Sequence, residues 1–279
     1  MANVVNTNMH SLNTQRALAK TEGSLATAME RLSSGLRINR AADDAAGLAI
    51  SERMKSQISG MDVAARNAAD GISLAQTAEG ALIEVGDMLI RMRDLAVQAA
   101  NGTNGDQDRA NLNDEFDQLL QEVDRTLSTT NFNGINVFDG SNASLDFQVG
   151  ANETADNRIT VALTQMFTTG ATGSGLGIDG SNVLTFTGAT DALGLLDTAI
   201  DTVTATRADF GAVMNRFEHT ISNLQNSIEN AEASKSRITD ADFAKESAAL
   251  ARSQVLQQAS QAMLAQANQL PQSVLSLLK

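Results

Sequence analysis

His10 and His219 are the only histidines in the chain, and cysteine is absent, so imidazole chemistry has two candidates and thiolate chemistry has none. A hydrolytic or metal centre needs such groups clustered with partners, whereas these two fall in segments expected to lie far apart. The sequence contains no H-E-x-x-H helix, no G-x-S-x-G elbow and no G-x-x-x-x-G-K-[ST] loop. Asp43-Asp44 and Asp240/Asp242 could hold a cation, but each stands where a helix start is expected, and capping accounts for both without one. The glycines between 170 and 180 lack phosphate-loop spacing and read as loop punctuation. These residues point to no enzyme, no metal and no cofactor. What remains is apolar periodicity, which is the chemistry of association.

The strongest periodic stretch is 191–233. Apolar side chains fall at Leu193, Leu196, Ile200, Val203, Phe210, Met214, Phe217, Ile221, Leu224, Ile228 and Ala231, with gaps of three and four, and Arg207 is the one charge on the seam. A 3.5-residue period held this long predicts a coiled-coil helix, after Asp191, of roughly 60 Å at 1.5 Å per residue. Such a helix requires a partner of matching length. A second helix, running from the Asp43-Asp44 pair to the break at Asn101, supplies it, through Met54, Ile58, Met61, Ala65, Ala68, Ile72 and Ala75, then Ala78, Leu82, Val85, Leu89, Met92, Ala96 and Ala99. Two three-residue gaps meet at Ala75, a stammer that overwinds the coil locally. Asp43 or Asp44 is expected to cap this helix.

Asn101-Gly102-Thr103-Asn104-Gly105 breaks the pattern, and Asp106 is expected to cap a third, antiparallel helix with Leu112, Phe116, Leu119, Val123 and Leu127 on one face. Beyond Phe132-Asn133-Gly134 the composition turns to Gly, Thr, Asn and Ser. Alternation at 145–149 and 158–161 predicts a β-hairpin around a 150–156 loop, 168–180 reads as a loop, and 183–186 as a further short strand. A break is expected at 236–239, followed by a helix capped by Thr239 with Asp242.

The two ends mirror each other. Val5, Met9 and Leu12, then, after a slip in spacing, Leu18, Leu25, Met29 and Leu32, mark an N-terminal helix; Ala248, Ala251, Val255, Ala259 and Ala262, continued by Leu270, Val274 and Leu277, mark a C-terminal one. Both carry too few large apolar groups to hold alone, because isolated helices are marginal. The expected fold is mainly α, with long antiparallel coiled-coil helices from both chain ends and a small mid-chain β-hairpin region.

Aromatics make up 3% of the chain, with no Trp or Tyr, so the core must come from aliphatic helix-on-helix packing. Twenty Lys/Arg against 33 Asp/Glu give a formal charge of −13, which disfavours nucleic acid and anionic membrane surfaces. No apolar run approaches the ~20 residues of a membrane span, and the first residues lack a Sec-type signal. On these grounds alone the expectation is a soluble cytosolic protein. The weak ends want partner helices, supplied either by the same copy as an intramolecular coiled coil or by other copies in self-assembly. A discrete coiled-coil binding module is the alternative from another class; an enzyme would need a site in the insertion, where none is legible.

The sequence resembles bacterial flagellin, the subunit of the flagellar filament. The resemblance lies in the runs 30–39 (ERLSSGLRIN), 42–50 (ADDAAGLAI), 91–98 (RMRDLAVQ), 131–134 (NFNG), 237–243 (RITDADF) and 272–278 (QSVLSLL), in this order and covering both ends. It implies an extracellular protein that leaves the cell unfolded through the flagellar type III channel, which replaces the cytosolic expectation. It implies an N-terminal inner-core helix (1–40), coiled-coil helices of a surrounding domain (41–134), a hairpin and loop region with the outer domain small or absent (135–190), a return helix (191–235) and a C-terminal inner-core helix (236–279).

Filament assembly would then rest on Val5, Met9, Leu12, Leu25, Leu32, Val255, Ala259, Leu270, Val274 and Leu277. The coiled-coil seam would be Ile58, Met61, Ile72, Leu82, Leu89, Ile200, Phe210, Phe217, Ile221 and Leu224. The implied partners are further copies of the chain, flagellar cap and hook–filament junction proteins, and an export chaperone at the C-terminal helix. A host innate-immune receptor would read Arg91, Leu95 and Glu115, with Ile90 standing where activating members commonly carry Gln. A hook–filament junction protein, which shares the terminal helices, is the alternative within the same class.

Overall fold

The computed structural model describes residues 7–168 and 175–276, with side chains described as far as residue 269. Among the described residues there are five α-helices: α1 (Met9–Ser34), α2 (Ala45–Ala99), α3 (Asp106–Thr129), α4 (Phe186–Thr239) and α5 (Phe243–Ser276). Four short strands lie between α3 and α4: β1 (Asn131–Phe132), β2 (Ile135–Asn136), β3 (Ser144–Gln148) and β4 (Arg158–Ala162). The chain divides into two compact units, residues 1–56 with 229–279 (unit 1) and residues 57–228 (unit 2). The expected class, mainly α with long helices from both ends and a small hairpin region, is the fold observed.

In unit 1, α1 and α5 pack antiparallel. The Arg31 guanidinium meets the Glu246 carboxylate at 3.1 Å, while 23 residues earlier Asn8 Nδ2 donates to the Ala267 carbonyl at 2.7 Å. Gly35 ends α1 in the left-handed region (φ 73°), where a Cβ would be strained, and its N–H donates to the Arg31 carbonyl. The chain then runs beside the end of α4, with the Arg37 N–H donating to the Thr239 carbonyl at 2.7 Å and the Ala241 N–H to the Gly35 carbonyl at 2.9 Å. Of the two aspartates before α2, Asp44 is the cap, its Oδ1 accepting the Gly47 N–H at 2.9 Å. Asp43 instead closes the preceding turn by accepting the N–H groups of Asn39 and Arg40.

In unit 2, α2 runs antiparallel to both α3 and α4. Toward α3, Arg109 Nε donates to the Ala99 carbonyl at 3.1 Å and Arg91 meets Glu115 at 2.6 Å. Toward α4, Arg93 meets Asp197 at 2.6 Å, Gly86 faces Val203, Glu79 faces Arg207 at 3.9 Å, and Gly71 faces Phe217. One number falls as the other rises, which is the register that the matched 3.5-residue seams require. Gly71 is a close approach: a Cβ there would stand 2.6 Å from the Phe217 ring, so the ring lies directly on the α2 backbone. The hairpin β3–β4 pairs Ser144 with Ala162 through Gln148 with Arg158, and Phe147 on it meets Phe217 edge to face at 5.5 Å.

Several expected boundaries differ. Val183 to Phe186 is no strand: Thr185 caps α4, its Oγ1 accepting the Gly188 N–H at 3.0 Å, so the helix starts five residues before Asp191. The expected break at 236–239 is absent, because Thr239 stays in α4 with its hydroxyl donating back to the Lys235 carbonyl at 3.0 Å. Asp242 takes the capping role assigned to Thr239, its Oδ1 accepting the N–H groups of Ala244 and Lys245. At α3 the cap carboxylate is Asp108, which accepts the Gly105 N–H at 3.1 Å, and Asp106 is the first helical residue. The β1–β2 pair around Asn133-Gly134 was not anticipated, although Asn-Gly is the preferred two-residue hairpin turn.

Candidate assembly surfaces

Along α1 the side chains withdrawn from solvent are Ser11, Thr14, Leu18, Thr21, Leu25, Ala28 and Leu32, again with gaps of three and four. Their counterparts on α5 are Glu246, Leu250, Ser253, Gln257, Ser260, Leu264 and Ala267. This seam mixes hydroxyl, amide and methyl groups with five leucines. It holds one ion pair, Arg31–Glu246, whose side chains are 28% and 12% exposed, and the Arg31 Nε has no hydrogen-bond partner.

The apolar stripe expected on α5 lies elsewhere. At 100° per residue, Ala248, Ala251, Val255, Ala259 and Ala262 sit roughly opposite Ser253 and Ser260. All five are exposed, Val255 at 65%, and Leu256 and Met263 flank them. On α1 the slip between residues 12 and 18 is a change of face. Met9 and Leu12 are 53% and 44% exposed, while Leu25 and Leu32 are half-buried in the pair. Val5 and Leu277 lie outside the described residues; Leu270 and Val274 fall in α5, with side chains outside the description. Within a copy, the terminal helices therefore meet through a mixed seam of leucines and small polar side chains, and leave the apolar stripe of α5 open.

Unit 2 uses its seam internally. Ile58, Met61, Leu82, Leu89, Phe210, Phe217 and Leu224 are buried, and Ile72, Ile200 and Ile221 are half-buried against the same core. The sequence reading missed the contribution of the mid-chain region. Phe138, Met166, Ile178 and Val183 are fully buried, and Phe138 meets Phe210 edge to face at 6.5 Å. Buried Asn113 on α3 holds that region, its Oδ1 accepting the Val183 N–H at 3.0 Å. A lone Asn between apolar positions of a helix was the available signal.

Arg91 and Glu115 are exposed and joined to each other, and Ile90 beside them is 50% exposed. Leu95 is 1% exposed, so it is a core residue here and presents no surface to a partner. Arg93 is held above its ordinary pKa by the Asp197 carboxylate, and Glu122 below its own by Arg125. Both are surface pairs: the first ties α2 to α4, and the second links successive turns of α3.

A shallow cleft of about 460 Å³ separates α2, at Gly60 to Asn67, from the tip of the β3–β4 hairpin. Its polar groups are satisfied among themselves: Asn67 Nδ2 donates to the Gln148 carbonyl and Arg158 Nε to Gln148 Oε1. His10 and His219 are both exposed on helix surfaces. Among the described residues no group of three or more His, Asp or Glu converges as metal ligands do, and no helix is long and apolar enough to cross a membrane.

Residues 5–143 match the family described as the bacterial flagellin N-terminal helical region, and residues 193–278 match the bacterial flagellin C-terminal helical region. The chain is 49% identical to a flagellin of Halalkalibacterium halodurans over 99% of its length and 100% of the relative's. It is 44% identical to a flagellin of Bacillus subtilis over 99% of each chain. The crystal structure of a Bacillus cereus flagellin aligns at 34% identity, covering 57% of this chain and 88% of that one, with a TM-score of 0.49.

Proposed function

The chain belongs to the bacterial flagellin family and is a structural subunit of the extracellular flagellar filament, a homopolymer, not an enzyme; from that premise we propose that the helical pair formed by its two ends carries the assembly. One observation carries this reading: the apolar stripe of α5 faces away from α1. A stripe of Val255, Leu256, Ala259, Ala262 and Met263 in water is a patch with an occupant to come. In a homopolymer the occupant is the same pair on another copy. Met9, Leu12, Val255 and Ala259 make those contacts, and Leu25 and Leu32 hold the pair together. Repetition without closure yields an open helical polymer.

The inner-core helices 1–40 and 236–279 then form one domain, and 41–134 with 191–235 form the surrounding coiled coil, with 135–190 as its hairpin cover. A weak seam suits the route. The ends cross the flagellar type III channel unfolded, escorted by a chaperone on the C-terminal helix. They order at the filament tip, under the cap and beyond the junction proteins, where burial against neighbours offsets the ordering entropy. The exposed Arg91–Glu115 pair is the surface a host immune receptor can reach, while Leu95 acts from beneath by fixing α2. Unchanged signalling by Arg91→Ala protein in a reporter cell line would remove Arg91 from that role.

The deciding experiment is seeded polymerisation of the full-length protein beside a form lacking 1–34 and 240–279, scored by negative-stain microscopy. Filaments from the full-length chain alone support the reading. Equal polymerisation of both forms, or a discrete oligomer from both, sinks it.

A further inference from the structure

Among the described residues, the exposed methionines all lie on the terminal helices, while Met54 on α2 is half-buried. Met61, Met92 and Met166 are buried in unit 2, at 7%, 0% and 0% exposure, and Met88 and Met214 there are half-buried. Met9, Met29 and Met263 are 53%, 57% and 63% exposed, and all three lie on α1 or α5. Met9 lies one turn from exposed Leu12, and Met263 lies one turn from Ala259 on the open stripe. A thioether in such a place fills an apolar contact through an adaptable side chain, and it is also the one aliphatic group that a mild oxidant attacks.

We propose that Met9, Met29 and Met263 are sulfoxidation sites of the unassembled subunit, and that their oxidation by a peroxide withdraws the subunit from polymerisation reversibly. The proposal rests on the reading that the open faces of α1 and α5 meet other copies. In the reaction a sulfur lone pair attacks one oxygen of hydrogen peroxide. An S–O bond forms, the O–O bond breaks, and the proton of the transferred hydroxyl passes to the departing oxygen. One peroxide becomes one water, and the thioether, oxidised by two electrons, becomes a sulfoxide. The sulfoxide oxygen is a strong acceptor that an apolar stripe of Ala, Val and Leu cannot satisfy once water leaves. Met92 and Met166 have no exposed sulfur, so the mark falls on the terminal pair and spares the core of unit 2.

The test treats full-length monomer with hydrogen peroxide, assigns each sulfoxide by peptide mass spectrometry, and follows seeded elongation. It then repeats elongation after reduction by the two methionine sulfoxide reductases, which cover both epimers. We expect residues 9, 29 and 263 to oxidise about ten-fold or more faster than 92 and 166, and elongation to slow by about ten-fold and recover on reduction. In preformed filaments the same three residues oxidise about ten-fold more slowly than in monomer. Complete oxidation at the three with elongation within about two-fold of the untreated rate overturns the proposal, as does a loss that reduction fails to reverse. Untreated polymerisation that still requires the termini leaves the assembly reading standing in either case. If the terminally deleted form polymerises equally, that reading falls and this proposal falls with it.

Discussion

The side chains withdrawn from solvent in unit 2 include Phe116, Phe138, Phe217, Leu82 and Leu89, each fully buried. In unit 1 they are Ser11, Ala28, Ile38, Ser253 and Ala267, with a carboxylate, Glu246, among them. Charge divides as sharply. Twelve Lys/Arg against ten Asp/Glu leave unit 1 at +2, and eight against 23 leave unit 2 at −15, which together restore −13. One chain thus holds a self-sufficient coiled coil beside a helix pair whose mutual seam supplies little burial. Fully burying a large apolar side chain contributes ~1.5–3 kcal/mol, and the unit 1 seam offers few such groups. The difference teaches that unit 2 closes its core within one copy, whereas the α1–α5 pair leaves the apolar stripe of α5 uncovered.

The largest expected effect comes from Phe217→Ala. The ring lies on the Gly71 backbone and against Phe147, so its loss leaves a cavity in unit 2 costing ~3–5 kcal/mol. Denaturant unfolding followed by far-ultraviolet circular dichroism should lose its most stable transition. A smaller shift than any terminal-helix variant produces would break the comparison.

Smaller is Glu246→Gln, which strips the Arg31 guanidinium of its carboxylate inside the α1–α5 seam. A charge-assisted bond of this kind contributes ~1.5–3 kcal/mol, toward the lower end because Arg31 keeps some solvent. Hydrogen exchange should quicken along α1 and α5 and stay unchanged in unit 2. Equal acceleration in both units would show that the two do not open separately.

The smallest effect is a pH dependence at residues 39–44. Asp43 is held below its ordinary pKa, first by the Arg40 N–H and then by the Asn39 N–H. A carboxylate depressed in the folded state adds stability above its unfolded pKa and loses it as pH falls through the folded value. Protection of the Asn39 and Arg40 amides should therefore hold at neutral pH and fade below the usual carboxylate range. In Asp43→Asn that acid dependence should vanish; its persistence would assign it to another group.

Much of this was legible in the chain itself. The 3.5-residue periodicity of α2 and α4 was legible, because a heptad demands a facing helix wherever it occurs, and its positions from Ile58 to Leu89 and from Ile200 to Leu224 are buried or half-buried. The β3–β4 hairpin was legible from alternation. The start of α4 was not: Val183-Leu184-Thr185-Phe186 alternates like a strand, and only the Thr185 hydroxyl on the Gly188 N–H reveals a helix cap. Nor was the burial of Met166, Ile178 and Val183 legible, since irregular backbone has no period to read. The burial of Leu95, which the resemblance offers to an immune receptor, was not legible either, because a motif carries no exposure.

At the ends, spacing and composition alone set two amphipathic helices too weak to stand by themselves, and the residue runs at both termini were enough to place the family. They did not say which face of each helix its own partner takes. A stripe of Ala, Val and Leu declares that it needs apolar company, but periodicity carries no information about whose. That choice came from the packed pair. Ser, Thr and Ala let α1 and α5 meet with little bulk between them, and the Arg31–Glu246 and Asn8–Ala267 contacts align them, so the apolar stripe of α5 is turned outward.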